Sequence, residues 1–215
     1  MVQITKHIWR IPVAKADVYS TEVWLLYCEG GLILVDVGFT DFCFENIEVE
    51  LKKMSKSWED IRMVIITHAH FDQIMNLKRV TEVAKMAEVM VGEGDFDELR
   101  NQTGVQPTMG LDNGDIIDAC GGIEVISIPG HSPGNLCLYL KEEKTLIAGD
   151  TIMMNKFGNL MPPLIEYNEN SIQAKENIKI LMDYDFDKLL LSHGEPVVTN
   201  AKGKVTELLI NLKIL

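Results

Sequence analysis

Four of the five histidines fall in three short motifs, each following an apolar, strand-like run: Thr67-His68-Ala69-His70-Phe71-Asp72-Gln73, Gly130-His131-Ser132-Pro133-Gly134 and Ser192-His193-Gly194-Glu195-Pro196. A fourth element, Leu146-Ile147-Ala148-Gly149-Asp150, has the same build: an apolar strand, a glycine, then a carboxylate. Imidazole and carboxylate are the common protein ligands of zinc and related divalent ions, and a buried metal centre must gather several of them from distant parts of a chain. The pattern therefore predicts a metal site built from at least three histidines and two aspartates.

The motifs differ in how much each says alone. His68, His70 and Asp72 stand at i, i+2 and i+4, so an extended loop leaving a strand end points all three the same way, into one pocket. A lone His131 or His193 in a glycine-proline turn is more often a hydrogen-bonding loop residue, and a lone Asp150 more often a cap or turn residue. It is the recurrence of compatible ligand types at four strand ends that points to metal.

Around these motifs the chain alternates strands and helices. Residues 22–28 and 31–37 read as a hairpin about Glu29-Gly30, and 41–55 as a helix with Phe44, Ile47, Leu51 and Met54 on one face. A short strand at 63–66 runs into His68, a helix is expected over 72–87 with Ile74, Leu77, Val80, Val83 and Ala84 buried, and a strand at 89–91 follows. Short strands recur at 115–117, 123–128, 136–140 and 145–148, then an irregular segment 151–167, a helix 171–182, a strand 188–191 and a terminal helix from Ala201. Strand runs flanked by helices in both halves predict two packed sheets with helices outside, an α/β sandwich, in one domain over residues 1–215.

Twenty basic against 32 acidic residues give a net charge of -12 without a Lys/Arg cluster, which argues against a nucleic-acid partner, since that affinity rests on cationic side chains displacing counterions. No apolar run nears the ~20 residues of a membrane-spanning helix, and residues 1–10 lack the apolar core of a signal peptide, so neither membrane insertion nor export is expected. The four cysteines show no CxxC spacing, and Cys28 and Cys137 lie in strand-like runs, where a free thiol serves as a small buried hydrophobe; a reduced, cytoplasmic protein is expected.

Taken together, His68-x-His70-x-Asp72-Gln73, Gly130-His131-Ser132-Pro133-Gly134, Gly149-Asp150 and Ser192-His193-Gly194 resemble the ordered motifs of the metallo-β-lactamase superfamily, over roughly 31–196. Val35-Asp36-Val37-Gly38 resembles that family's early strand-end motif, whose aspartate supports the metal loops from behind. The resemblance implies a four-layer αββα sandwich with His68, His70 and His131 on a first ion. Asp150 would bridge to a second, which Asp72 and His193 also bind. It further implies one or two zinc ions, with iron or manganese as alternatives, a small-molecule substrate as partner, and hydrolysis of a small ester, lactone or thioester by a metal-bound hydroxide, with Asp72 in proton transfer. Glyoxalase II-like and lactonase-like hydrolases are the nearest in motif. The stretch after His193 is short beside the helical thioester-binding domain of glyoxalase II, so a glutathione thioester is not implied.

Two other classes share the motifs: a mononuclear iron persulfide dioxygenase using His68, His131 and Asp150, and a noncatalytic metal-binding module. A homodimer is left open. Within the irregular segment, Lys156, Phe157, Asn159 and Tyr167 are the candidate substrate contacts. One departure from the family pattern stands out: Gln73 occupies the place of a histidine, and a carboxamide oxygen is a weaker ligand than imidazole for a zinc-like ion, or none at all. Gln73→His is accordingly predicted to tighten the second site, and unchanged zinc stoichiometry and affinity in a calorimetric titration of that variant would count against it.

Overall fold

Alternation builds the first sheet. In β3 (Val23–Cys28) and β4 (Gly31–Val35), Trp24, Leu26, Ile33 and Val35 face one side while Val23, Leu25, Leu32 and Leu34 face the other, and all are buried. Both faces must therefore be covered. The computed structural model describes residues 1–11 and 21–215. With β1 (Val2–Gln3), β2 (Ile8–Ile11), β5 (Ile61–Ile66), β6 (Glu88–Gly92) and β7 (Met109–Leu111), these strands form a seven-stranded sheet in chain order. Its first four strands pair antiparallel, and β4 to β7 run parallel. A second sheet has the order β14-β11-β10-β9-β8, from β8 (Ile116–Ile117), β9 (Ile123–Ser127), β10 (Leu136–Leu140), β11 (Thr145–Ile147) and β14 (Lys188–Leu190). A small hairpin, β12 (Met153–Met154) with β13 (Leu160–Met161), stands apart from both.

Three apolar clusters set the layers. Trp24, Leu26, Val35 and Ile65 meet Val125, Leu136, Leu138 and Leu190 between the sheets. Leu25, Leu34, Val64 and Ile66 pack against Phe44, Ile47 and Leu51 of α1 (Asp41–Lys53) and against Leu77 and Val80 of α3 (Leu77–Val83). On the other outer face, Ile126, Cys137 and Leu146 pack against Ile178 and Leu181 and against Val205 and Leu209 of α6 (Ala201–Asn211). The result is the expected αββα sandwich.

Four local expectations are corrected. The helix expected over 72–87 is broken into α2 (Phe71–Ile74) and α3. At the break the Asn76 side chain donates to the carbonyls of Val37 and Thr40 at 3.1 and 3.0 Å, and Val83 is exposed. The helix expected at 171–182 is α5 (Ser171–Asn177) continued by a 3₁₀ segment, Ile178–Asp183. The segment 151–167 contains the β12–β13 hairpin and a 3₁₀ turn, Ile165–Tyr167, and α4 (Phe96–Thr103) was not foreseen. Finally, Cys28 is not a free thiol: it is bonded to Cys120, 92 residues away, while Cys43 and Cys137 are free and buried. No local spacing motif announces a bridge closed by sheet packing, which brings the two Cα atoms to 4.8 Å. The reduced-thiol premise of the cytoplasmic expectation thus does not hold for this pair. Because the bridge closes a long loop, Cys120→Ser should lower the unfolding free energy by about 2–4 kcal/mol. Urea denaturation checks this, and dithiothreitol should bring the parent protein to the variant's midpoint while leaving the variant unmoved.

Candidate metal centre

The parallel strands fix where the motifs land. β4 leads directly into Asp36 and β5 into Thr67-His68, and β6 closes at Gly92, all at the carboxyl edge of the first sheet. In the second sheet β11 and β14 are parallel and end at Asp150 and His193, and the 128–134 turn after β9 delivers His131 to the same rim. Gly149 lies at φ 51°, with Thr67 2.9 Å from where a Cβ would stand, so only a glycine lets the Asp150 turn lie against the His68 loop.

At the rim the rings of His68, His70 and His131 stand 4.4–4.7 Å apart and nearly perpendicular in pairs. Nε2 of His68 lies 3.1 Å from Nε2 of His131. The other ring nitrogen of each is engaged: His131 Nδ1 donates to Asn168 Oδ1 at 2.8 Å, and His68 Nδ1 lies 3.1 Å from the Thr67 hydroxyl, which itself donates to Asp36 at 2.9 Å. Each Nε2 thus turns a lone pair toward the other, and at that distance a proton or a metal cation must lie between them. The second group adjoins the first. Asp150 Oδ2 is 3.4 Å from His131 Nε2 and 3.3 Å from His193 Nε2, and Asp72 Oδ2 is 3.1 Å from His193 Nε2. Two triads with metal-ligand spacing result, His68-His70-His131 and Asp72-Asp150-His193. Gln73 is fully buried; its amide nitrogen donates to Asp72 Oδ2 at 3.1 Å, and its carboxamide oxygen is buried without a hydrogen-bond partner.

Three supports were not singled out in the sequence. Asp95, buried after β6, accepts from Ala69 N–H at 2.8 Å, the Ser132 hydroxyl at 2.6 Å and Gly134 N–H at 2.7 Å, so one carboxylate holds both the His68–His70 and His131 loops. Its strand-glycine-acid context, Val91-Gly92-Glu93-Gly94-Asp95, repeats the build of the other motifs and was the available signal. Asn168 orients His131, and the Thr21 hydroxyl donates to Asp72 Oδ2 at 2.5 Å; neither has a local signature. Of the candidate substrate contacts, Tyr167 adjoins Asn168 and so stands beside the site. Lys156, Phe157 and Asn159 form the tip of the β12–β13 hairpin, where Asn155 Oδ1 accepts from the Phe157 and Asn159 amides and Asn159 borders a groove against Lys204 and Glu207 of α6; the hairpin itself is tied to the His193 loop by the Met154 N–H, which donates to the His193 carbonyl at 3.0 Å. Among the described residues, that tip makes no hydrogen bond or ion pair to the His/Asp cluster.

The charges suit a cation. Burial works against ionisation of Asp150, yet His193 and His131 hold it well below the usual carboxylate range. Burial alone would depress His193, but the Asp150 and Asp72 carboxylates overcome it and raise the imidazole to about 10. Burial drives His68 far below, and His70 below, the ordinary imidazole value, which leaves them neutral and ready to coordinate. Asp150 Oδ1 is buried without any hydrogen-bond partner, an anionic oxygen that a cation would satisfy. Because a metal can take only the unprotonated imidazole of His193, it competes with that group's proton. Zinc binding at pH 7 should therefore release about one or two protons per chain, and zinc affinity should climb as pH rises toward 10. Calorimetry in buffers of different ionisation enthalpy measures the release, and a buffer-independent enthalpy would contradict it.

Residues 16–193 match the Metallo-beta-lactamase superfamily model. A hydroxyacylglutathione hydrolase from Prochlorococcus marinus is 26% identical over 174 residues, which cover 78% of this chain and 63% of the relative's length. A probable metallo-hydrolase, YflN, of Bacillus subtilis is 22% identical, covering 83% of this chain and 81% of its own. Among solved structures, a metallo-beta-lactamase family protein of Thermus thermophilus superposes with a TM-score of 0.77 at 20% identity, over 98% of this chain and 81% of that one. A Cronobacter sakazakii metallo-beta-lactamase described by its HARLDQ motif superposes at 0.72 with 18% identity, over 98% and 90%. The match over most of the length, together with the two His/Asp triads at the rim of an αββα sandwich, establishes that the chain belongs to the metallo-β-lactamase superfamily.

Proposed function

We propose that this protein is a metal-dependent hydrolase that cleaves a small ester, lactone or thioester, with two divalent ions, zinc being the best match, held by His68-His70-His131 and by Asp72-Asp150-His193. One observation carries the reading: Asp150 Oδ2 stands between the triads, 3.4 Å from His131 and 3.3 Å from His193, so one carboxylate is shared by both. A third imidazole, His70, beside His68 and His131 supports this over a single-iron oxygenase built on His68, His131 and Asp150 alone. Ions so placed would polarise a carbonyl and lower the pKa of bound water toward neutrality.

The protein's own groups supply orientation and proton transfer. Asp36 through Thr67, and Asn168 directly, fix the His68 and His131 rings with Nε2 inward. Burial opposes ionisation of Asp72, but the His193 and Thr21 hydrogen bonds keep its carboxyl below the ordinary range, so it is ionised at neutral pH and able to take a proton and return it to the leaving group. The names of two relatives, hydroxyacylglutathione hydrolase and probable metallo-hydrolase, agree with the reaction class at low identity.

Zinc-loaded protein should turn over members of a lactone, thioester and aryl ester panel and lose that activity on chelation. Absence of turnover on the whole panel would overturn the proposal. Asp72→Asn at saturating zinc should lower kcat by about 10²–10⁴-fold while an ion remains on the three histidines, and unaltered kcat would remove Asp72 from proton transfer.

A further inference from the structure

Large apolar side chains are left in water on two segments that adjoin the metal ligands. One is joined to His70 and Asp72: Phe71, 56% exposed, lies between them in sequence, its ring 6.0 Å from half-buried Phe39, and Met75 follows four residues on, 48% exposed. The other is joined to His131: the amide of Glu169 donates to the His131 carbonyl at 3.1 Å and Asn168 bonds its ring, so the preceding turn, with Ile165 75% and Tyr167 55% exposed and Leu164 beside them, is seated at the same place. Asn168 Nδ2 also donates to the Pro163 carbonyl, which ties the start of that turn to its end.

Neither segment carries a cation. Residues 38–42 read Gly-Phe-Thr-Asp-Phe, 70–76 His-Phe-Asp-Gln-Ile-Met-Asn and 163–170 Pro-Leu-Ile-Glu-Tyr-Asn-Glu-Asn. Arg10, near the His193 loop, is held by Glu22 at 2.6 Å and Glu195 at 2.6 Å, so its charge is already neutralised. A substrate with free carboxylates would meet Glu166 and Glu169 on a chain of net charge -12, and the guanidinium nearest the other lip, Arg79, is already paired with Asp41 at 3.1 Å. Hydrocarbon laid there would instead leave water against the exposed rings and branched chains.

Resting on the hydrolase reading, we propose that the mouth of the metal centre takes the hydrocarbon side of a neutral, medium-chain ester, lactone or thioester between a Phe39-Phe71-Met75 lip and a Leu164-Ile165-Tyr167 lip, and disfavours anionic thioesters. A fully buried methylene is worth about fourfold in an equilibrium constant, and an open groove roughly half that free energy, so selectivity should grow by about twofold per CH₂.

The test measures kcat/KM of zinc-loaded protein on p-nitrophenyl acetate, butyrate, hexanoate, octanoate and decanoate, and on S-lactoylglutathione. The expected result is a rise with chain length and a glutathione thioester among the poorest substrates. In Ile165→Ser the decanoate-to-acetate ratio should fall several-fold, whereas Ile210→Ser, a comparably exposed isoleucine on α6, should keep the parent ratio. A flat chain-length profile with good turnover, or S-lactoylglutathione as the best substrate, overturns the inference and leaves the hydrolase reading standing. If no ester or thioester is cleaved, that reading fails, and calorimetric binding of decanamide against acetamide decides the inference separately. Tighter decanamide binding that weakens in Ile165→Ser supports it, and equal binding of the two amides overturns it.

Discussion

Crowding four imidazoles and two carboxylates into one largely buried rim is the constraint on which the rest of the structure depends. Such a cluster cannot hold itself together: ring nitrogens 3.1 Å apart repel unless something positive separates them, and each ring is free to rotate unless its far side is fixed. The fold answers from behind. Buried carboxyl groups on neighbouring strand ends, Asp36 and Asp95, take up the backbone N–H groups of the loops that carry the ligands. The sandwich beneath supplies rigidity: strands buried on both faces end at one edge, and the loops leave from fixed points.

The imidazoles are supported differently. His68 is backed by Thr67 and kept neutral by burial, whereas Asp150 and Asn168 raise His131 and the Asp150 and Asp72 carboxylates raise His193, favouring the charged form of both. Asp72 is further held by Thr21 and Gln73. A glutamine at this point serves the carboxylate by donating to it, a role that a histidine in the ligand set would not have.

Much of this was legible in the sequence because period and position carry it. The β-rich runs at 22–28 and 31–37 and the Glu29-Gly30 turn defined the hairpin, the Phe44-Ile47-Leu51 face defined α1, and ligands placed directly after apolar runs located the rim. What stayed hidden was long-range. Asp95 binds partners 26 to 39 positions away, Asn168 reaches His131 across 37, and the Cys28–Cys120 bridge spans 92. The break at Asn76 depends on carbonyls of the Val37–Thr40 turn, which helical periodicity cannot see. The hairpin at 153–161 is too short to show alternation, so its strands were read as an irregular segment.

Gly92 and Gly134 meet backbone to backbone: a methyl group on Gly92 would sit 2.0 Å from the Gly134 carbonyl oxygen, and one on Gly134 would strike the Asp95 amide at 2.4 Å. The two halves of the sandwich are thereby keyed to each other at a point with no room for any side chain. Neither half can drift in sequence there independently of the other, and a chimera that joins the first half of this chain to the second half of a relative inherits a working rim only if both partners bring a glycine to that junction.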